Sequence, residues 1–278
     1  MKNRFLLFDG IELATTEGEE LLLFGEILHI FKHLERAGWK FRGVRGGESL
    51  AGHSYGVIMW SLWLARRHRH LHPDLPIDEI KLLRLSIVHD LPESLTGDLT
   101  PWQRELLFGK KGKDGVINSE LRFWKKLMGK ELTAPSKNPG ETETKDNETE
   151  TKDNNITKKS TTKEDNSGEK KDPDQYTKKN KDKLNSFFTE LFEAWKEYRV
   201  ANSIEAEIVK RADALDCVMQ ALFYRKMSGA PLQQFRELID TAAGKDIQLK
   251  NILNTLWESA FSECNNNSNI TKKTPGNK

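Results

Sequence analysis

Residues 84–101, RLSIVHDLPESLTGDLTP, set a His-Asp pair directly behind the apolar run Leu85-Ser86-Ile87-Val88, where the pattern otherwise announces buried core. Upstream, Ile80, Leu83 and Ile87 recur at helical spacing, so a helix is expected over residues 78–90 with His89 and Asp90 at its end. Pro92 lacks an amide hydrogen and its ring crowds the preceding turn, which kinks or ends that helix. An acidic side chain in a last helical turn opposes the helix dipole, so Asp90 is unfavourable on structural grounds alone. A bound cation would reverse the penalty. If the helix resumes after Pro92, Glu93 lies one turn from His89 and Asp90 and addresses the same small volume. Asp98 follows Gly97 in the loop ahead of Thr100 and can point back toward the same place.

Outward from this stretch the chain reads as helices. Residues 20–37 carry Leu21, Phe24, Ile27, Leu28, Phe31 and Leu34 at steps of three and four, a single apolar stripe. Residues 49–67 repeat the pattern with Leu50, Val57, Trp60 and Leu64, and His53 falls on the same face. Thr100-Pro101-Trp102-Gln103 has the residues of a helix start, with Thr at the N-cap, Pro at the first position and Gln at the third. Further helices are expected over residues 184–198, 205–227, 232–239 and 247–261. No alternating run of strand length occurs, so the class is all-α.

The 278 residues are unevenly composed. Between residues 133 and 183 the only apolar side chains are Ala134, Ile156 and Tyr176, in blocks such as ETETKDNETETKDN. Such a segment cannot bury enough apolar surface to offset its conformational entropy and is expected to be disordered. The tail over residues 265–278 has the same character. One globular domain is therefore expected, in two parts over residues 1–132 and 184–264, interrupted by the polar insert. Forty-four Lys and Arg against 42 Asp and Glu leave a formal charge of +2, which gives no support for a nucleic-acid binder. Cys217 and Cys264 show no paired spacing, so neither a disulfide framework nor a zinc knuckle is suggested and a cytoplasmic setting is expected. The start MKNRFLLFDG is too short in apolar residues for a signal peptide, and the longest apolar stretch, around residues 57–65, is broken by Ser61 and falls far short of a membrane span.

Taken singly, the polar candidates have plain readings. Glu93 can be a solvated carboxylate, Asp98 a turn residue, and His53 a core histidine with one satisfied nitrogen. Their combination is less easily dismissed, because Asp213 borders a late apolar stripe of Ile204, Ile208, Ala212, Leu215, Met219 and Leu222, where an unpaired carboxylate is costly. Two other signals are weaker. The glycines of Gly43-Val44-Arg45-Gly46-Gly47 lack the Lys-Ser/Thr of a phosphate loop, and Arg66-Arg67-His68-Arg69-His70-Leu71-His72 suits a solvated helix end.

The order His53, His89-Asp90, Asp213 resembles the HD-domain metal-dependent phosphohydrolases. Gly38-Trp39-Lys40-Phe41-Arg42-Gly43-Val44, Glu48-Ser49-Leu50-Ala51-Gly52-His53, His89-Asp90-Leu91-Pro92-Glu93, Thr96-Gly97-Asp98-Leu99-Thr100-Pro101 and the segment from Glu205 to Asp216 are similar to the 5′-deoxynucleotidase branch in particular. The resemblance implies a helical HD-domain bundle in which His53, His89, Asp90 and Asp213 ligate one divalent metal. Glu93 would orient or deprotonate the attacking water, and Asp98 would contact the sugar or the same water network. Trp39 and Arg42 match the segment lining the substrate pocket, with Arg42 as the phosphate contact. Homodimerisation follows by analogy with the branch. One departure stands out: the residue before the first histidine, acidic in this branch, is Gly52 here. Two imidazoles and two carboxylates suit Mn, Co, Fe, Zn or Ni better than Ca. No histidine follows His89, which disfavours a two-metal centre. The expected activity is hydrolysis of deoxyribonucleoside 5′-monophosphates, small-molecule substrates, with no nucleic-acid or membrane partner. Another small phosphoester or nucleotide, such as a nucleoside triphosphate, is one alternative, and a non-catalytic, metal-stabilised nucleotide-binding protein is another.

Overall fold

A computed structural model describes residues 16–128 and 173–262 of the chain. The expectations for residues 1–15, for the insert before residue 173 and for the tail fall outside the described residues.

The described residues form helices α1 (Thr16–His33), α2 (Ala37–Lys40), α3 (Leu50–Leu71), α4 (Glu79–Val88), α5 (Glu93–Thr96), α6 (Pro101–Phe108), α7 (Gly112–Leu127), α8 (Pro173–Val200), α9 (Ile204–Ser228), α10 (Leu238–Ala243) and α11 (Ile247–Ser262). Among them there is no strand, only an isolated antiparallel bridge between Glu35 and Ser49. The all-α expectation holds. The expected helix after Pro92 appears as the single turn of α5, and α8 begins at Pro173, inside the stretch that composition assigns to the insert. α7 is an addition to the sequence reading. Its core face, Val116, Glu120, Phe123, Trp124 and Leu127, carries a glutamate at its centre and follows a Gly- and Lys-rich start, which masks the stripe.

Helix starts are fixed by local hydrogen bonds. Ser49 Oγ accepts from Gly52 N at 3.2 Å, Asp78 Oδ1 from Lys81 N at 3.0 Å, and Ser203 Oγ from Ala206 N at 3.3 Å. At α6 the Gln103 amide oxygen accepts from the Thr100 backbone amide at 2.9 Å and from its hydroxyl at 2.7 Å.

α3 and α9 run against one another, α4 packs on both, and α8 covers α4. The two parts of the sequence on either side of the insert therefore fold into each other. Two apolar cores result. One joins Val57, Leu64, Leu82, Leu85, Ile208, Leu215 and Val218 with α10 and α11; the other joins Leu23, Ile27 and Leu50 with Val88, Phe123, Trp124 and Trp195. Each fully buried aliphatic side chain contributes about 1.5–3 kcal/mol. Ser61, which interrupts the apolar run of α3, is buried with Ser86 of α4, whose hydroxyl lies 3.0 Å from the Ser61 hydroxyl and 2.9 Å from the Leu82 carbonyl. That contact keys the crossing of α3 and α4. His53 sits between Leu50 of one core and Val57 of the other, and His89 follows Val88, so the polar cluster lies on the seam between the cores.

Candidate metal centre

Three helices deliver the cluster. His53 comes from the first turns of α3, His89 and Asp90 from the chain leaving α4, and Asp213 from the middle of α9. One donor atom from each of His53, His89 and Asp213 lies within 4.8 Å of the others. Asp90 Oδ2 joins them, 3.7 Å from His53 Nε2 and 3.3 Å from His89 Nε2. Donors around one transition-metal ion at 2.0–2.3 Å stand roughly 3–4.5 Å apart, so the arrangement fits such an ion. The side chains of both histidines are fully buried, whereas Asp213 is 33% exposed, so solvent reaches the cluster on the Asp213 side.

A specific atom marks the fit. His89 Nδ1 donates to the Ser86 carbonyl at 2.8 Å, which leaves Nε2 as the lone-pair nitrogen, and that buried Nε2 has no hydrogen-bond partner. A buried acceptor left unpaired costs about 1–3 kcal/mol unless a cation takes it up. His53 Nε2 meets Asp213 Oδ1 at 3.1 Å and its Nδ1 meets Asp216 Oδ2 at 2.7 Å. Burial and then the Arg36 charge press the His53 imidazolium toward neutrality, but its bonds to Asp213 and Asp216 outweigh both and lift its pKa to about 9. Without a metal, a proton on Nε2 thus bridges to Asp213, where a cation would otherwise serve.

His53 is supported from α9. Asp216, one turn beyond Asp213, orients His53 through Nδ1, while its other oxygen accepts from Trp60 Nε1 at 3.2 Å. Gly56 makes room for it: a Cβ there would stand 2.1 Å from Asp216 Oδ1. Tyr198 of α8 points its hydroxyl at Asp213 Oδ2, 3.4 Å away, and lays its ring edgewise to His89. Burial, followed by the Asp213 and Asp90 charges, holds the Tyr198 phenol well above its ordinary pKa, so it remains a donor.

Glu93, at the start of α5, is buried and its Oε2 has no partner, while Oε1 lies 3.9 Å from Arg104 Nη2. Burial first, then Asp90 and Asp98, push its carboxyl well above the usual carboxylate range against the opposing charges of Arg36 and Arg104. Burial also works against ionised Asp90, yet the charged Arg36 and His53 beside it hold that carboxyl far below its usual range. Two adjacent carboxylates are thereby driven apart: Asp90 stays charged and Glu93 takes up a proton readily.

Sequence reasoning passed over Arg36. Its Nη1 donates to Asp90 Oδ2 at 3.0 Å and its Nε stands 3.6 Å from Asp98 Oδ2, and the same Asp98 oxygen accepts the Ala37 amide at 2.7 Å. The resemblance pointed to Trp39 and Arg42 instead, and the structure uses both differently. Trp39 is buried, donates from Nε1 to Glu48 at 2.9 Å and stacks on Phe235, leaving no open face for a ligand. Arg42 donates to the Gly38 carbonyl at 2.8 Å and lies over Phe235, 5.0 Å from the ring centroid. Their bonds thus go to Glu48, Gly38 and Phe235.

Known proteins resemble this chain. A profile of the HD domain matches residues 28–121 and 147–254. The chain is 24% identical over 236 residues to the 5′-deoxynucleotidase HDDC2 of Bos taurus, covering 84% of this chain and 82% of that protein. It is 32% identical over 80 residues to the 5′-deoxynucleotidase YGK1 of Saccharomyces cerevisiae, a stretch that spans 29% of this chain and 34% of the yeast protein. Among solved structures, the PH0347 protein of Pyrococcus horikoshii OT3 superposes with a TM-score of 0.53 at 25% identity, over 86% of this chain and 97% of the archaeal one. Because the profile takes in both halves of the fold, on either side of the junction that brings His53 and Asp213 together, the chain belongs to the HD-domain family of metal-dependent phosphohydrolases.

Proposed function

We propose that this hydrolase removes the 5′-phosphate from deoxyribonucleoside monophosphates. Its relatives with that activity in their names support the reading, and so does the chemistry of the site. The observation that carries it is Glu93 Oε2, a buried carboxylate oxygen without a partner beside a cation-ready set of side chains. A purely structural metal would need no such group.

His53, His89, Asp90 and Asp213 would hold one divalent ion, Mn, Co, Fe, Zn or Ni by donor type. When bound, the ion supplies Lewis-acid polarisation of a phosphoryl oxygen and acidifies water beside it. Glu93 accepts the proton of the attacking water at Oε2 and returns it to the leaving 5′-oxygen. Arg36, rather than Arg42, is the guanidinium adjoining the ligand carboxylates, where it fixes Asp90 and Asp98. Asp98 is the candidate sugar contact. Among the described residues no helix is long and apolar enough to cross a membrane. A cytoplasmic setting and a homodimer belong to the same proposal, on grounds of composition and of analogy respectively.

The test is phosphate release from deoxy- and ribonucleoside 5′-monophosphates by metal-stripped protein resupplied with Mn, Co, Zn or Mg in turn. Metal-dependent release favouring the deoxy series is expected. Metal binding without release from any of these nucleotides would exclude the reading and favour another phosphoester.

A further inference from the structure

An aromatic pair on the elements that adjoin Asp98 is left unused by the chemistry above. Phe41, directly after α2, and Trp102, in the first turn of α6, meet edge to face with centroids 5.4 Å apart and planes at 79°. Both stay open to solvent, at 55% and 52%, while the same protein buries Trp39, Trp124 and Trp195 almost completely. Half-open rings held against each other by two separate elements offer planar apolar surface next to water.

The elements bearing these rings are tied to the reacting groups. Asp98 Oδ2 receives the Ala37 amide that opens α2 and faces Arg36, which in turn holds Asp90. On α6, Arg104 donates from Nε to the Leu99 carbonyl at 2.7 Å and brings Nη2 to 3.9 Å from Glu93 Oε1. The inner side of these elements is therefore tied to Asp90, Glu93 and Asp98, of which Glu93 is buried and the other two are partly buried, while Phe41 and Trp102 are open to solvent. For a ligand with its phosphate at the cluster and its sugar at Asp98, as proposed above, these rings are aromatic surface carried by the two elements that adjoin Asp98.

We infer that Phe41 and Trp102 form the nucleobase platform of the enzyme, with the base of a nucleoside 5′-monophosphate stacked on Trp102 and flanked by Phe41. The inference rests on the nucleotidase reading and extends it to the base. Stacking is tolerant of base identity because every base has a π-face, so purine and pyrimidine nucleotides are both accepted. The platform binds a base and does not merely cover apolar surface.

The experiment compares a deoxyribonucleoside 5′-monophosphate with 2-deoxyribose 5-phosphate, which keeps the phosphate and sugar and lacks the base. In the metal-loaded full chain the nucleotide is expected to have the lower KM. Trp102→Ala should shrink the ratio between the two KM values about ten-fold, the size expected for loss of one base–aromatic stack, and Trp102→Phe should keep most of it. Metal affinity measured by titration should match the parent protein in both variants, which shows that the site is still folded. Equal KM values for the two substrates in the parent protein would overturn the platform and leave the phosphohydrolase reading standing. So would a Trp102→Ala protein with an unchanged ratio and an altered sedimentation coefficient, which would make the pair a self-association surface. Hydrolysis of neither compound would overturn both readings.

Discussion

Replacing Gly56 by Ala tests whether Asp216 is the support of His53. In the middle of a helix this change is ordinarily favourable by about 1 kcal/mol. Here the new Cβ would stand 2.1 Å from Asp216 Oδ1 and 2.7 Å from its Cγ, so the carboxylate must retreat by about 1 Å or more to reach ordinary contact distance. Retreat on that scale stretches the 2.7 Å bond to His53 Nδ1 and the 3.2 Å bond from Trp60 beyond hydrogen-bonding range. A bond to a charged group contributes about 1.5–3 kcal/mol and a neutral one about 1 kcal/mol, so the net effect is a loss of about 1–3 kcal/mol after the helix gain. His53, no longer held at Nδ1, turns more freely, and loss of such an orienting partner lowers metal affinity about 10–100-fold. Competition for Mn or Co against a chromogenic chelator, with thermal melts in the presence and absence of metal, reads both effects. Gly56→Ala protein that binds metal within two-fold of the parent would refute the assignment of Asp216.

Three further outcomes are expected. Glu93→Gln keeps the shape of the side chain and should leave metal titration unchanged while kcat falls about 10²–10⁴-fold; an unaltered kcat would remove Glu93 from proton transfer. Tyr198→Phe deletes the hydroxyl 3.4 Å from Asp213 Oδ2 and should weaken metal binding about five-fold or less, with no shift in the pH profile of kcat, which checks that Tyr198 positions Asp213 and does not titrate. Glu120, buried on α7 beside Arg199, has its carboxyl pushed up to about 7, by burial first and with Arg199 opposing. A raised carboxyl pKa gives stability that is full below about 4.5 and is lost as pH rises through about 7, a fall of about 3 kcal/mol. Denaturant melts at pH 4.5 and pH 8 should show that fall in the parent protein and a smaller one in Glu120→Gln; equal slopes would show that Glu120 is not the titrating group.

Periodicity and motif order carried much of this protein. The all-α class followed from apolar spacing on α1, α3, α4, α9 and α11, because a stripe at three- and four-residue steps can be buried only by a helix. The cost of Asp90 at a helix end and of Asp213 on an apolar face pointed to a cation before any coordinates, since both are local electrostatic arguments. α7 escaped because Glu120 sits in its core stripe, and the partner of that glutamate, Arg199, is 79 positions away in sequence.

The polar second layer was not legible from the sequence. Arg36 meets Asp90 across 54 residues and Asp216 meets His53 across 163. Nothing in the neighbourhood of Gly52 announces that a carboxylate from α9 bonds His53 Nδ1. Trp39 and Arg42 carry a sequence resemblance, but whether a side chain faces a ligand or a neighbour such as Phe235 depends on what packs over it. Residue type and spacing thus determined which helices form and which side chains are costly without a cation. The crossing of α3 and α9 decided which of those side chains meet, because hydrogen bonds and ion pairs act over a few ångströms of space whatever their separation along the chain.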